Sequence, residues 1–359
     1  MNRTHTILGV LLAAQLLLIA ALNFSSLTGA AAVDAPHELL PVLDSITPEK
    51  VAIADGENHS VVLARKDDGW VLPEAGDYPV AASKVSDLLD KLKDIDVRRP
   101  VVTSSRYHSA LKVTDDDFER RVQVWKDPSA DPDVDLLVGT SPNYRITHVR
   151  STDTDDVFEA MGFSTSELIS DAGSWVDKKF VDVPFDEITA VDVENASGAF
   201  SLARTNGVWS IASPASASGK ELDASKVDTF VRGLASMWLI DPIGKIDGSA
   251  QGLDHPVAQV ALVRTPKAPE SADVASTPAE QDQTQPVETP AEEKEAVPEP
   301  EVIKYRIGAE KDADSGQRYV ARDGFEFAVT VSKYDAGKVV DKKLDDLLKT
   351  DEPKPAAEG

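Results

Sequence analysis

The chain has no cysteine among its 359 residues. Disulfide staples, thiolate catalysis, iron–sulfur clusters and cysteine-ligated zinc are thereby excluded. Basic residues are also few, 37 Lys and Arg against 62 Asp and Glu, for a net charge of −25. Such a surface repels phosphate backbones, so nucleic-acid binding is not expected. Nucleotide-binding and hydrolase signatures are missing as well. Gly219, Gly244 and Gly337 precede or pair with lysine outside any phosphate-binding context, and no Gly-x-Ser-x-Gly elbow is present. The six histidines, His5, His37, His59, His108, His148 and His255, never fall into H-x-H or H-E-x-x-H spacing, so no pair is preset on one element for zinc. Asp127, Asp131, Asp133 and Asp135 suggest a hard cation. Read as an EF-hand from Asp131, however, they put Leu136 at the glycine position and Pro142 at the bidentate glutamate position. The groups around Asp115–Asp117 and Asp153–Asp156 read as solvated turn charge. No catalytic, cofactor-binding or metal-binding residue is assigned, and no cofactor is expected.

What is present begins at the N-terminus. Residues 7–22 read ILGVLLAAQLLLIAAL with only Gln15 polar. Extended to Leu27 as a helix, the run is about 31 Å long, enough to span a bilayer. Arg3 and the α-amino group lie before it, and Asp34, Glu38 and Asp44 follow. The positive-inside rule then leaves the N-terminus in the cytoplasm and the bulk of the chain periplasmic or otherwise extracytoplasmic. Ala30-Ala31-Ala32 offers the competing reading, a cleaved signal peptide with the mature chain starting near Val33.

The remainder reads as one unit written twice. Leu63-Ala64-Arg65 and Trp70 recur as Leu202-Ala203-Arg204 and Trp209, both displaced by 139. Ala82-Ser83-Lys84-Val85 recurs as Ala224-Ser225-Lys226-Val227. Each opens an amphipathic helix, with Val85, Leu88, Leu89 and Leu92 on one face and Val227, Phe230, Val231 and Leu234 on the other copy's. Helix starts are expected at Ser83 and at Asp223 or Ser225. Residues 171–179 and 335–343 match at seven of nine positions.

Short strands at 51–54, 61–65 and 70–72 form an expected antiparallel meander. The two tryptophans, each closing a strand, read as core plugs. The second copy carries an insert at 266–301 with seven prolines and ten acidic residues against Lys267 and Lys294. Too poor in apolar groups to order itself, it is expected to be a disordered loop between strands 257–265 and 302–307, which match 122–125 and 136–138. The expected fold class is α+β: an N-terminal transmembrane helix (1–33), then two tandem strand-helix-strand repeats, 34–182 and 183–348, with mostly antiparallel sheets, and a disordered tail, 349–359.

The strand closure Asp68-Gly69-Trp70-Val71-Leu72, the helix entry Tyr78-Pro79-Val80-Ala81-Ala82-Ser83-Lys84-Val85 and the closing Trp175-Val176-Asp177-Lys178-Lys179 resemble the bacterial domain-of-unknown-function 4340 family over about residues 40–345. These motifs are structural. The resemblance implies a membrane-anchored extracytoplasmic protein, of the kind found with ABC-transporter and gliding-motility-type auxiliary proteins, and carries over no catalytic residue. The acidic insert departs from it. The function expected is that of a non-catalytic accessory or scaffold protein of an ABC-type export or cell-envelope complex, with protein partners and the membrane as its contacts. The alternative is an envelope hydrolase using a carboxylate pair between the repeats.

Overall fold

The computed structural model describes residues 35–67, 69–266 and 299–349, together with Gln15. The apolar run 7–22, apart from Gln15, lies outside the described residues, as do 267–298 of the insert and the tail from 350. Among the described residues no helix is long and apolar enough to cross a membrane. The described chain is mostly antiparallel sheet with few helices, and it divides into two compact units, Met1–Val71 with Ala81–Asp171, and Leu72–Val80 with Ala172–Gly359.

The first unit is built on strands β1 (His37–Glu38), β2 (Lys50–Asp55), β3 (Ser60–Lys66) and β4 (Gly69–Leu72), helix α1 (Ala82–Lys93), then β6 (Asp96–Val97), β7 (Arg120–Trp125), β8 (Val134–Val138), β9 (Ile146–Ser151) and β10 (Phe158–Met161), whereas β5 (Tyr78–Pro79), next after β4 in the chain, falls in the second unit. Its main sheet runs β10-β9-β8-β7-β2-β3-β4-β5, and β1 pairs with β6 separately. Alternation explains the strands, since Val51 and Ile53 of β2 and Val61 and Leu63 of β3 are buried while their neighbours are not. In α1, Val85, Leu88 and Leu92 are buried and Leu89 is half-buried. The helix starts one residue before Ser83. Its N-cap is Ala81, without a side-chain cap, and Ser83 sits in the first turn, where its carbonyl accepts from the Ser86 hydroxyl at 3.0 Å.

The second unit contains β11 (Lys179–Asp182), β12 (Ile188–Asn195), β13 (Gly198–Thr205), β14 (Val208–Ser213), α2 (Ala224–Ala235), β15 (Ser236–Lys245), β16 (Ala258–Arg264), β17 (Glu301–Glu310), β18 (Arg318–Arg322), β19 (Phe327–Val331) and α3 (Lys333–Val340). Its sheet runs β11-β15-β19-β18-β17-β16-β12-β13-β14. Seven strands therefore keep one order in both units: β10-β9-β8-β7-β2-β3-β4 in the first and β19-β18-β17-β16-β12-β13-β14 in the second. The landmarks share a register too, with Arg65 opposite Trp70 and Arg204 opposite Trp209. The insert joins β16 and β17, which pair without a break from Ala258↔Ile307 to Arg264↔Glu301, as β7 and β8 pair in the first unit.

Asp223 caps α2, its carboxylate accepting from the Lys226 amide at 3.1 Å. Val227, Phe230, Val231 and Leu234 are all buried. The helix lies over Phe200, whose ring centroid is 6.0 Å from that of Phe230. Its C-terminal end is tied to β17, where the buried Tyr305 hydroxyl donates to the Leu234 carbonyl at 3.2 Å. That carbonyl belongs to the last turn, which has no partner further along the helix. Tyr78 also belongs to the second unit, packed against Phe325 and Phe327 at 5.6 and 5.1 Å. Its burial pushes the phenol up to about 12.

Candidate functional site

Three places gather polar chemistry. The first is the solvent-facing side of the second sheet. Because strand residues alternate in direction, Val193, Phe200, Val260 and Tyr305 face α2, while Asp192, Glu194, Gln259, Lys304 and Arg306 point the other way. With Ser201, Ser213 and Asp323 they line a hollow of about 410 Å³. Arg306 is held from behind, an Nη donating to the Leu253 carbonyl at 3.3 Å, and its buried Nε has no partner. Mixed charge on a broad sheet face suits a polar protein surface. It supplies no desolvated acid–base pair.

The second place is a hollow of about 630 Å³ between α2 and α3, whose lining includes Lys226, Phe230, Lys338 and Lys342 together with Asp341 and Asp346. The Lys342 ammonium lies 5.5 Å from the Phe230 ring. Lys338 pairs with Asp335 at 2.6 Å, and Lys226 donates to the Leu348 carbonyl at 2.9 Å. Two of the three ammonium groups are thus committed to protein oxygens that hold α3 and the following turn.

The third place brings Ser, His and Asp together at the β2–β3 hairpin. Asp55 accepts from the Ser170 hydroxyl at 2.8 Å, from the amides of Glu57 and His59 at 2.9 and 3.0 Å, and meets His59 Nδ1 at 3.0 Å. A nucleophilic triad needs the serine on the imidazole. Here the serine donates to the carboxylate, and the arrangement fastens a turn. Burial pushes the Asp55 carboxyl upward, but these hydrogen bonds outweigh it and hold the group well below the usual carboxylate range.

The second unit repeats this fastening with other atoms. Asn195, at the equivalent hairpin corner, donates its amide to the carbonyls of Val339 and Lys342 at 2.7 and 2.8 Å and accepts from the Ser197 amide at 2.8 Å. In both units one Asx residue at the end of the first core strand holds the closing segment. Sequence reading missed this pair. The available signal is Asx before a turn, which favours local side-chain-to-backbone bonds.

Several of the other acids are engaged as structure. Asp135 forms a two-point pair with Arg121 at 2.5 and 2.8 Å, Asp133 accepts from the Lys126 amide at 2.7 Å, and Asp127 from the Ser129 amide at 2.9 Å. Asp115 faces the buried Arg150, whose Nε donates to the Val113 carbonyl at 2.7 Å. Asp116 accepts from the Thr114 hydroxyl at 2.8 Å. The carboxylates with displaced titration, Asp55, Glu221 and Asp312, are all moved downward by hydrogen bonds, opposite to the shift a general acid requires. Among the described histidines, His108 binds the Asp155 carbonyl at 2.8 Å and His148 the Thr140 hydroxyl at 2.9 Å. Among the described residues no group of three or more His, Asp or Glu gathers to hold a metal ion. Trp209 is buried, its indole donating to Asp228 at 3.1 Å, whereas Trp70 is half-buried.

Fold and sites together define a sheet-rich α+β protein whose polar residues fasten turns, strands and helix ends. The family model for the Domain of unknown function (DUF4340) matches residues 70–256, a little over half of the chain, from β4 through α2 and β15 to just before β16. The chain belongs to that family. No curated protein and no solved structure matches it.

Proposed function

We propose that this is a membrane-anchored extracytoplasmic accessory or scaffold protein of an ABC-type export or cell-envelope complex, working by binding and not by catalysis. The observation that carries the reading is the N-terminal sequence: an apolar run at 7–22 with Arg3 before it and Asp34, Glu38 and Asp44 after it. That asymmetry holds the chain in the inner membrane by one span, N-terminus inside. The sheet units then stand outside the cytoplasm. Supporting it, the displaced carboxylates are tuned toward permanent ionisation, and the larger hollow's lysines Lys226 and Lys338 hold protein oxygens.

Any ATPase of such a complex is another chain. The test is affinity purification of the full chain from solubilised membranes of its own cell. Co-purification of transporter or envelope-complex subunits in stable ratio is expected. Recovery of the chain alone, or hydrolysis of envelope substrates abolished by a single carboxylate substitution, overturns the reading.

A further inference from the structure

The repeated topology makes the sheet edges comparable. An edge strand offers unpaired backbone donors and acceptors to any passing strand, so folds shorten edges or place charge and proline on them. Three of the four main-sheet edges here follow that rule. β5 has two residues, one of them Pro79. β10 has four and carries Glu159. β11 has four and carries Lys179 and Asp182, paired at 2.8 Å.

The fourth edge, β14, reads Val208-Trp209-Ser210-Ile211-Ala212-Ser213, six residues with no charge and no proline. No further strand pairs with it among the described residues. In the other main sheet, by contrast, the order continues past the matching β4 to β5.

Backbone direction can be assigned on this edge. Asn206 and Gly207, with φ of 50° and 80°, form the two-residue loop between β13 and β14, the geometry Asn-Gly favours. Thr205 and Val208 flank it as a hydrogen-bonded pair, and so do Ala203 and Ser210 two residues on. The N–H and C=O groups of Trp209 and Ile211 consequently point off the sheet. Val208 is 70% exposed, and Ser210 and Ala212 are exposed and small, so a neighbouring backbone can approach closely.

We propose that β14 is a docking edge that receives an extended, non-acidic segment of a partner protein as an added strand. The inference rests on the scaffold reading and names its contact. Charge selects the occupant. The chain carries −25, and Asp228 of α2 sits over this strand, bound to the Trp209 indole. An acidic segment is repelled, and pairing β14 with a second copy brings two such charges together.

The test places a benzophenone amino acid at Val208 of the full chain in its own cells, with control positions at the exposed Tyr144 and Tyr334. The proposal expects a heterotypic adduct from Val208, whose cross-linked partner peptide is free of acidic residues. That adduct persists in Ile211→Val and falls about tenfold in Ile211→Pro, which removes an outward donor without touching the β13 bonds. Ser210→Lys, which puts charge on the edge and leaves the backbone intact, gives the same loss if Ile211→Pro fails to fold. An adduct of twice the chain's mass, an intramolecular cross-link, an acidic partner peptide, or a yield unmoved by the variant that folds overturns the proposal. Heterotypic adducts from Tyr144 or Tyr334 with none from Val208 overturn it while leaving the scaffold reading in place. No adduct from any position overturns both.

Discussion

Asn195→Asp changes one atom type at the corner that fastens α3, and its consequences can be worked from three distances. The amide donates to the Val339 and Lys342 carbonyls at 2.7 and 2.8 Å. Aspartate keeps the acceptor for the Ser197 amide but points its second oxygen at those two carbonyl oxygens. Two hydrogen bonds of about 1 kcal/mol each are lost, and leaving a buried acceptor unpaired costs about 1–3 kcal/mol more. Like-charged oxygens then repel. Asn195→Ala suffers the losses without the repulsion, so it should cost about 3–5 kcal/mol, and Asn195→Asp should cost more at pH 7.

For a unit of this size each kcal/mol moves the melting temperature by about 2–4 °C. The second unit's transition should therefore fall by roughly 6–20 °C in the alanine variant and further in the aspartate one. Acid separates the two. A carboxylate facing carbonyls has its folded-state pKa raised above the unfolded value, so protonation is favoured in the fold and returns one donor. The gap between the variants should close or reverse as pH falls through that raised pKa. Thermal melting of the full chain, followed by hydrogen exchange at 336–342, measures both effects. A shift below 2 °C, or an aspartate variant more stable than the alanine one at pH 7, would refute the reasoning.

Asp55 should make the first unit acid-sensitive in the opposite sense. Its folded pKa lies below the ordinary 3.8, so its stabilisation is complete above that value and is lost as pH falls beneath it; Ser170→Ala should weaken this acid dependence in melting experiments, and an unchanged profile contradicts it. Asp223→Ala should cost about 1 kcal/mol through loss of the α2 cap, whereas Ser83→Ala should cost under about 0.5 kcal/mol because Ala81 holds the cap position; equal losses in denaturant titration would contradict the cap assignment. Replacing 266–301 with about five turn residues should leave the β16–β17 register intact and stabilise by roughly 1–2 kcal/mol through loop closure. A fall of many degrees would show that the insert packs on the fold.

The strands and helix faces were legible because burial there follows simple periods. Leu63 and Leu202, Val85 and Val227 can be placed from spacing alone, and the pairing of β16 with β17 across the insert follows from two β-branched runs flanking a proline-rich acidic one. Ser83 misled because a serine before an apolar stripe resembles a cap, while the helix starts at Ala82 with Ala81 in the cap position. The closing motifs match in sequence and differ in structure. Seven of nine residues agree, yet the first forms a short 3-10 turn at Ala172–Trp175 and the second lies in α3.

The difference arises before the motif, where Ser332 caps α3 by accepting from the Asp335 amide at 3.0 Å. In the first copy Lys178 instead donates to the Ile240 carbonyl at 2.8 Å, and Gly173 lies so close to that carbonyl that a β-carbon would sit 2.2 Å from it. Such contacts are made by residues distant in sequence, and no local pattern announces them. The membership of Leu72–Val80 in the second unit has the same character. The polar fastenings at Asp55 and Asn195 escaped because single Asx residues are common, and only the fold shows what each one holds.

The central claim is that one N-terminal span holds two sheet units outside the cytoplasm, and fractionation tests it most directly. Membranes carrying the full chain are washed with alkaline carbonate, and intact cells stripped of any outer barrier are treated with protease. The account predicts that the chain stays with the membrane pellet and that everything beyond about residue 33 is digested from outside. Release of a mature chain beginning near Val33 would contradict the anchor, and protection of the sheet units until the cells are lysed would contradict the topology.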